Sequence, residues 1–286
     1  MTHLTQLTDT HTLANGVEIP IVGFGTWQTP DGEVAKSSVL AALNAGYRHV
    51  DTAAAYGNEA SVGQALAASG LKRDDYFLTT KLWNEDHGYD RTMAAIDTSL
   101  TKLGVDYVDL YLIHWPNPLT YREHWQEINA ETWGAMEAIL KAGKARAIGV
   151  SNFRPHHLDE LLKTADVTPM VNQILLNPSD MQPEVVAYNN AHNILSEAYS
   201  PLGTGKIFDV KPLQKMAKRY NRTVAQLVLR WSLQHDFLPL PKSVHEDRII
   251  ENAKLFDFEL SHHDMELIDG LRGVAGEALD PDTATF

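Results

Sequence analysis

Short apolar runs alternate with longer amphipathic segments along most of the chain. Runs of this kind are typical of buried strands, and a period near 3.6 residues is typical of helices. The strand candidates are residues 21–24, 49–50, 77–80, 108–113, 147–150, 170–173, 194–197 and 237–240. Segments with helical periodicity lie at residues 32–45, 60–69, 89–102, 130–142, 156–163, 184–190 and 223–234, with a last one at about 246–253. The pattern predicts eight strand–helix units.

Strands that alternate with helices predict parallel strands joined by crossover helices. Eight such units favour a (β/α)₈ TIM barrel, and the main alternative is an open doubly wound sheet. That alternative usually has Gly-x-Gly-x-x-Gly after its first strand, whereas the stretch Gly23-Phe24-Gly25-Thr26-Trp27-Gln28 lacks the third glycine. The glycine-rich stretch at 202–207 also lacks two residues of a P-loop, so neither nucleotide motif is present.

No linker rich in serine, glycine or proline interrupts the series, so we predict a single domain over residues 1–286. Residues of about 11–20 are expected to form a small N-terminal β-hairpin, because Asn15-Gly16 is a typical two-residue turn. The C-terminal tail of about 270–286 is short, and it leaves little chain for an elaborate lid.

The chain contains no cysteine, which excludes disulfides, cysteine-ligated zinc and a cysteine nucleophile. That composition fits a reducing compartment. Residues 1–19 lack the apolar run of a signal peptide, and no stretch has the length and apolar character of a membrane span. We therefore expect a cytoplasmic protein without a membrane partner, and we predict that it is a monomer.

The formal net charge is −13, from 37 acidic and 24 basic side chains. This balance excludes a sequence-independent nucleic-acid binder, whose affinity comes from neutralising phosphates. The charge mainly favours solubility. An anionic ligand therefore needs a local basic cluster, and Lys242 and Arg248 supply one near the C-terminus.

Polar residues follow seven consecutive strand candidates, at the end where a barrel of this type has its active site. They are, in chain order, Asp51 and Tyr56, Lys81, His114, Ser151 and Asn152, Gln173, Tyr199 and Ser200, and Lys242 and Ser243. Each alone has an ordinary structural explanation, such as a helix cap, a packed loop tyrosine or a core histidine. Their occurrence at successive strand ends favours one shared site.

The chemistry indicated by the first four of these residues is proton transfer to oxygen. They are Asp51, Tyr56, Lys81 and His114. A free tyrosine titrates near pH 10, and a neighbouring lysine ammonium is expected to lower the pKa of Tyr56. Asp51 could hold Lys81 charged, and His114 could orient a carbonyl oxygen. The group contains a proton donor but no source of electrons, so a reduction also needs a hydride-donating cofactor.

Four segments resemble signatures of the aldo-keto reductase family. They are Gly46–Ala53 continuing through Tyr56-Gly57-Asn58-Glu59, Leu110–Pro116, Gly149–Phe153, and Leu240–Ser243 followed by Arg248-Ile249 and Glu251-Asn252. The resemblance runs from about Leu13 to Asp269 in the expected order. It implies an NADPH-dependent reductase in which Tyr56 is the proton donor, and Asp51, Lys81 and His114 complete a catalytic tetrad.

The same resemblance implies a cofactor, NADPH or NADP⁺, that lies extended across the barrel mouth. The residues implied to bind it are Ser151, Asn152 and Gln173 at the carboxamide, Tyr199 at the ring, Ser200 and Leu202 at the pyrophosphate, and Lys242, Ser243, Val244, Arg248, Glu251 and Asn252 at the adenosine end. Lys and Arg beside a serine hydroxyl also make a reasonable phosphate site on chemical grounds alone. A 2′-phosphate distinguishes NADPH from NADH, so NADPH is preferred.

Trp27, Trp83 and Trp115 each follow a strand end and could form an apolar pocket around a small carbonyl, or simply pack the rim. The short tail, together with Thr80-Lys81-Leu82-Trp83-Asn84, resembles microbial dicarbonyl reductases, including 2,5-diketo-D-gluconate reductases. Small α-dicarbonyls, keto sugars and aldehydes are the substrates implied. Leu175 and Asn177 depart from the family pattern, which usually has Glu and His there.

Two other functions compete with catalysis. An NADPH-sensing regulatory barrel would not need a proton donor, and a metal-dependent hydrolase would need ligands where Lys81 stands. We predict no metal site, because neighbouring histidines such as His156 and His157 point about 100° apart on a helix and chelate poorly.

Overall fold

The computed structural model describes residues 5–286, so the predictions for the first four residues lie outside the described part of the chain. A hairpin comes first, with strands β1 (Thr10–Thr12) and β2 (Glu18–Pro20) paired antiparallel. The amide of Leu13 donates to the carbonyl of Val17 at 2.8 Å and closes the turn. The predicted hairpin is confirmed, but the two-residue turn at Asn15-Gly16 is wrong: Leu13 pairs with Val17, and the loop between them has three residues, 14–16.

Eight parallel strands then follow one another around a curled sheet in chain order. They are β3 (Phe24–Gly25), β4 (His49–Asp51), β5 (Phe77–Leu82), β6 (Val108–Ile113), β7 (Ala145–Ser151), β8 (Val171–Leu175), β9 (Leu195–Tyr199) and β10 (Leu238–Pro239). The order confirms the barrel and excludes the doubly wound alternative, in which the strand order reverses. The single-domain boundaries stay a prediction.

The first and last strands meet at a seam. The amides of Gly23 and Gly25 donate to the carbonyls of Pro239 and Pro241, both at 3.1 Å. Proline has no N–H, so these two prolines accept across the seam but donate nothing back. The seam therefore has hydrogen bonds in one direction only.

Helices surround the barrel between the strands. They are α1 (Glu33–Asn44), α2 (Glu59–Ala68), α3 (Tyr89–Leu103), α4 (Trp125–Lys141), α5 (Pro155–Leu161), α6 (Pro183–Ala191), α7 (Lys211–Tyr220), α8 (Val224–Gln234), α9 (Glu246–Asn252) and α10 (His262–Asp269). Within residues 5–286, no helix is long and apolar enough to cross a membrane.

Alternate strand residues face two different cores. On β6, Leu110 and Leu112 pack in the barrel interior, whereas Tyr111 and Ile113 pack under the helices. The interior cluster also includes Ile19 of the hairpin, so the hairpin closes the N-terminal end of the barrel. The opposite end stays open for a site.

Two helices were not predicted from the pattern. Helix α7 is rich in lysine and polar overall, although its buried residues Leu213, Met216 and Ala217 do have helical spacing. Helix α10 buries only Met265 and Ile268 among its apolar residues. The other helices lie close to their predicted positions, although α4 begins several residues earlier than expected.

Candidate active site

Asp51, Tyr56, Lys81 and His114 converge at the open end of the barrel. Asp51 ends β4, Lys81 lies near the end of β5, and His114 directly follows β6. The Nζ atom of Lys81 donates to both oxygens of Asp51, at 2.8 and 2.7 Å, and to the carbonyl of Thr52 at 2.9 Å. It also lies 3.3 Å from the Tyr56 hydroxyl oxygen. Lys81 thus forms hydrogen bonds with both a carboxylate and a phenol.

The environment keeps Lys81 charged. Its side chain is fully buried, and burial alone lowers the pKa of a lysine. The neighbouring Asp51 charge and the hydrogen bonds outweigh that effect, so the pKa of Lys81 is raised. The buried pair is therefore an ammonium and a carboxylate.

The expectation of a lowered tyrosine pKa is wrong for the protein alone. Burial raises the pKa of Tyr56 to about 12, and this effect exceeds the lowering caused by the Lys81 charge. Burial, followed by the Lys81 charge, lowers the pKa of His114 well below its usual value. Near neutral pH the site therefore has a protonated phenol and a neutral imidazole.

A second buried carboxyl group lies beside this pair. Gln173 on β8 donates from Nε2 to Asp51 Oδ2 at 2.8 Å and to Glu197 Oε2 at 2.6 Å. Glu197 lies on β9 and has no exposed surface. Burial, followed by the Asp51 charge, raises the pKa of Glu197 to about 8. Sequence reasoning named Gln173 but missed Glu197.

Ser151, Asn152 and Tyr199 form a hydrogen-bonded set on the neighbouring strand ends. Ser151 Oγ donates to the Gln173 carbonyl at 2.7 Å, and the Tyr199 hydroxyl donates to Asn152 Oδ1 at 2.9 Å. Asn152 has a φ of 62°, a left-handed conformation that asparagine tolerates better than most residues. Its amide group donates to the His114 carbonyl at 3.0 Å, which ties this set to the tetrad.

A cavity of about 1110 Å³ opens above these residues. Of the residues proposed for the site, seventeen line it: Trp27, Asp51, Tyr56, Trp83, His114, Trp115, Ser151, Asn152, Gln173, Tyr199, Ser200, Leu202, Lys242, Ser243, Arg248, Glu251 and Asn252. Lys81 lies buried beneath it, and Val244 is exposed and is not one of the lining residues. The side chain of Val244 is therefore not part of the cavity wall.

The basic end of the cavity is formed by Lys242 and Arg248, with Ser243 between them in sequence. Lys242 Nζ donates to the Gln28 carbonyl at 3.1 Å, across the seam. Partial burial lowers the pKa of Lys242. Lys206 also lines the cavity, although the glycine-rich stretch that contains it is not a P-loop. The signal that could have found it is a lysine among glycines after a strand end.

Aromatic rings enclose the other end. The Trp83 ring lies edge-on to His114 with centroids 5.2 Å apart. Phe286 stacks on Trp83 at 6.1 Å and meets Trp115 edge-on at 4.9 Å. Phe286 and the tail residues Ala275–Glu277 and Leu279 also line the cavity. The short tail thus forms part of the wall, a role that the sequence did not predict.

Hydrogen bonds and ion pairs anchor this tail to helix α5 and to the loop after β6. Asp282 accepts from Asn117 Nδ2 and lies 2.9 Å from His157 Nε2, and Arg154 pairs with Asp280 at 3.0 Å. His156 also reaches Asp282, at 3.1 Å, so the two histidines converge rather than diverge as expected. His157 Nδ1 accepts the Arg154 amide, which leaves Nε2 protonated as a donor to Asp282. The cluster thus holds the tail by hydrogen bonds.

Two residues that depart from the family pattern, Leu175 and Asn177, both line the cavity. Asn177 donates from Nδ2 to the Ser200 carbonyl at 3.2 Å and accepts the Ser179 amide at 2.9 Å. It therefore holds a turn beneath the loop after β9. Leu175 adds apolar surface where a carboxylate is usual.

Comparison with known proteins agrees with this geometry. The model of the Aldo/keto reductase family matches residues 21–272. The chain belongs to the aldo-keto reductase family. It is 48% identical over 282 residues to the glyoxal reductase of Bacillus subtilis, and the match covers 99% of each chain.

Solved structures of this family extend the comparison to the cofactor. A variant of Gox0644 in complex with NADPH has a TM-score of 0.88 at 38% identity, covering 98% of this chain and 99% of that one. The Bombyx mori aldo-keto reductase in complex with NADP has a TM-score of 0.84 at 35% identity and covers 93% of each chain. This reductase accordingly uses NADP(H) to act on carbonyl compounds, and the comparisons give no support to a regulatory barrel.

The residues present fit such a cofactor. The elongated wall carries basic groups at one end and the buried polar side chains of Ser151 and Gln173 at the other. Gly203 has a φ of 53°, and a β carbon there would lie 3.0 Å from Ala275 Cβ. Glycine at this position therefore allows the tail to pack directly against the loop after β9.

Proposed function

We propose that this aldo-keto reductase reduces small α-dicarbonyls and aldehydes, with Tyr56 as the proton donor. The observation that carries the proposal is the position of Lys81, which bridges Asp51 and Tyr56 at the floor of an aromatic pocket. The 48% identity to the glyoxal reductase of Bacillus subtilis supports the substrate class.

The proton step follows from the charges at the floor. Tyr56 keeps its proton until a carbonyl oxygen begins to gain negative charge, because burial disfavours the phenolate. The Lys81 ammonium then stabilises the phenolate that remains. His114, which is neutral, can donate a hydrogen bond to the same oxygen without adding a charge.

NADPH supplies the hydride when it is bound. The carboxamide end would be held by Ser151, Asn152 and Gln173, with Tyr199 against the ring. Lys242, Ser243 and Arg248 would hold the 2′-phosphate, and Glu251 and Asn252 lie close enough in the same wall to meet the adenine. Ser200 and Leu202 would border the pyrophosphate, and Lys206 adds a positive charge there that sequence reasoning did not assign.

The pocket favours small substrates because three rings close it. Phe286 contacts both Trp83 and Trp115, and Trp83 lies against His114, so a carbonyl compound must fit between these rings and Tyr56. Trp27 is 45% exposed and forms the outer lip. Glyoxal-sized compounds and phenylglyoxal suit such an apolar slot, and keto sugars are the larger members of the same class.

The test follows absorbance at 340 nm with NADPH and methylglyoxal, phenylglyoxal or 2,5-diketo-D-gluconate. We expect turnover with NADPH, fastest with the small dicarbonyls. Absence of turnover with all three, while NADPH still quenches tryptophan fluorescence, would contradict the proposed substrate class. Absence of both turnover and quenching would contradict the assignment of the cavity.

A further inference from the structure

Glu197 is a buried ionisable group that the proton step does not use. Its side chain lies in the barrel interior between β4 and β8, and Oε2 accepts from Gln173 Nε2 at 2.6 Å. The same nitrogen donates to Asp51 Oδ2 at 2.8 Å. A primary amide nitrogen has two N–H groups, so both are occupied by carboxyl oxygens.

This arrangement fixes which atom of Gln173 can meet a ligand. Both protons of the amide point towards Asp51 and Glu197, so the amide oxygen Oε1 is the atom left for the cavity. A flipped amide would place its oxygen against the Asp51 carboxylate, which would lose its N–H donor. Asp51 therefore fixes which way the amide faces, and Glu197 holds its second N–H.

Burial, followed by the Asp51 charge, leaves Glu197 uncharged near neutral pH. The groups that face it are Asp51 and His49 of β4, Lys81 of β5 and Gln173 of β8, and of these Gln173 and Lys81 favour its charged form. Burial, followed by the Lys81 charge, lowers the pKa of His49 to about 3, so its ring, 3.7 Å from Glu197 Oε1, offers no positive charge. With its pKa raised to about 8, Glu197 adds no negative charge beside the Asp51–Lys81 pair below that pH.

We propose that Glu197 is a positioning residue of the reductase, which holds the Gln173 amide so that its oxygen accepts an N–H of the nicotinamide carboxamide. The inference rests on the proposed function, because the contact between Gln173 and the carboxamide is part of that proposal. A merely structural Glu197 would fill the barrel without affecting recognition of the carboxamide.

The test compares binding of two oxidised cofactors by tryptophan fluorescence quenching. One is NADP⁺, and the other is its acetylpyridine analogue, in which an acetyl group replaces the carboxamide and removes its N–H. Wild-type protein is expected to bind NADP⁺ about fivefold more tightly, as one hydrogen bond predicts. Binding is measured rather than rate because the two compounds differ in reduction potential.

Two substitutions of similar volume separate the positioning of Gln173 by Glu197 from the packing that the Glu197 side chain provides. Glu197→Gln keeps an acceptor for Gln173, and the fivefold preference should persist. Glu197→Met removes the acceptor, leaves one N–H of Gln173 unpaired, and should reduce the preference to less than twofold. Glu59→Gln is the matched control, since Glu59 is equally buried but accepts from Thr80 on the outer side of the barrel.

A second measurement compares only the wild type and Glu197→Gln, both of which keep a polar side chain at this position in the barrel interior. Ionisation of Glu197 strengthens its hydrogen bond to Gln173, so the wild-type preference should rise between pH 7 and pH 9, and Glu197→Gln should show no such rise. An unchanged preference in Glu197→Met, or an equal rise with pH in Glu197→Gln, would overturn the inference. Equal binding of both compounds by the wild type would instead contradict the Gln173 contact in the proposed function.

Discussion

The floor and the wall of the cavity are built in different ways. The floor consists of strand-end residues such as Asp51 and Lys81, which are almost completely buried and joined by charged hydrogen bonds. The wall beside it consists of a loop and a tail, and the tail is anchored through partly exposed side chains such as Asp282. The floor is therefore rigid and tolerates little change in the chemistry of its side chains. The wall, in contrast, can change without unfolding the barrel.

The largest effect is expected at the floor. Tyr56→Phe removes the proton donor and should lower kcat by about 10²–10⁴-fold, the range typical of a lost general acid. NADPH binding, measured by tryptophan quenching, should stay within about twofold because the ring is kept. A variant that reduces methylglyoxal as fast as the wild type would show that another group supplies the proton.

Lys81→Met should damage both activity and stability. It leaves the Asp51 charge buried without its partner, which costs about 3–5 kcal/mol of unfolding free energy. Urea denaturation measures this cost. The control is Lys144→Met, because Lys144 and Asp97 form an exposed pair whose loss should cost less than about 1 kcal/mol. Similar losses in the two variants would contradict the contrast between buried and exposed pairs.

The cofactor end should show an intermediate effect that depends on the ligand. Arg248→Ala should weaken NADPH binding about 10–100-fold through loss of a charged contact and leave NADH binding nearly unchanged. Lys206→Ala should weaken both by a similar factor, because both cofactors carry a pyrophosphate. Isothermal titration with each cofactor measures the difference, and equal losses of NADPH and NADH in Arg248→Ala would place the 2′-phosphate elsewhere.

The smallest effect is expected at the aromatic wall. Phe286→Ala removes the ring that contacts Trp83 and Trp115, and should raise KM for phenylglyoxal about two- to tenfold with little change in kcat. Asp282→Ala should act in the same direction by releasing the tail. Steady-state kinetics checks both, and a fall in kcat with unchanged KM would mean that the tail acts on the chemistry.

The same contrast explains what the sequence could predict. Strand ends converge in any parallel barrel, so Asp51, Lys81 and His114 could be placed together from the pattern alone. The tail could not, because nothing local shows that Asp282 reaches His157 or that Phe286 reaches Trp83. Their pairing depends on tertiary contacts between segments far apart in the chain.

Glu197 was missed for a different reason. Strands of a parallel barrel are buried on both faces, so alternation of polar and apolar residues does not show which side chains point inward. Tyr56 was placed correctly, but its pKa was not, because a neighbouring charge can be read from sequence and the depth of burial cannot. Which residues form the site could therefore be predicted better than how deeply each of them is buried.

The one-sided seam between β3 and β10 has a consequence for motion. Two prolines leave half of that ladder without donors, so we expect barrel opening to begin there and the amides of Gly23 and Gly25 to exchange with deuterium sooner than those of the neighbouring ladders. Lys242 follows the last strand and Gln28 follows the first, so a cofactor bound between them would bridge the gap. The bound cofactor would then link the two strands where hydrogen bonds are missing. Its binding should therefore slow deuterium exchange of the amides along this seam.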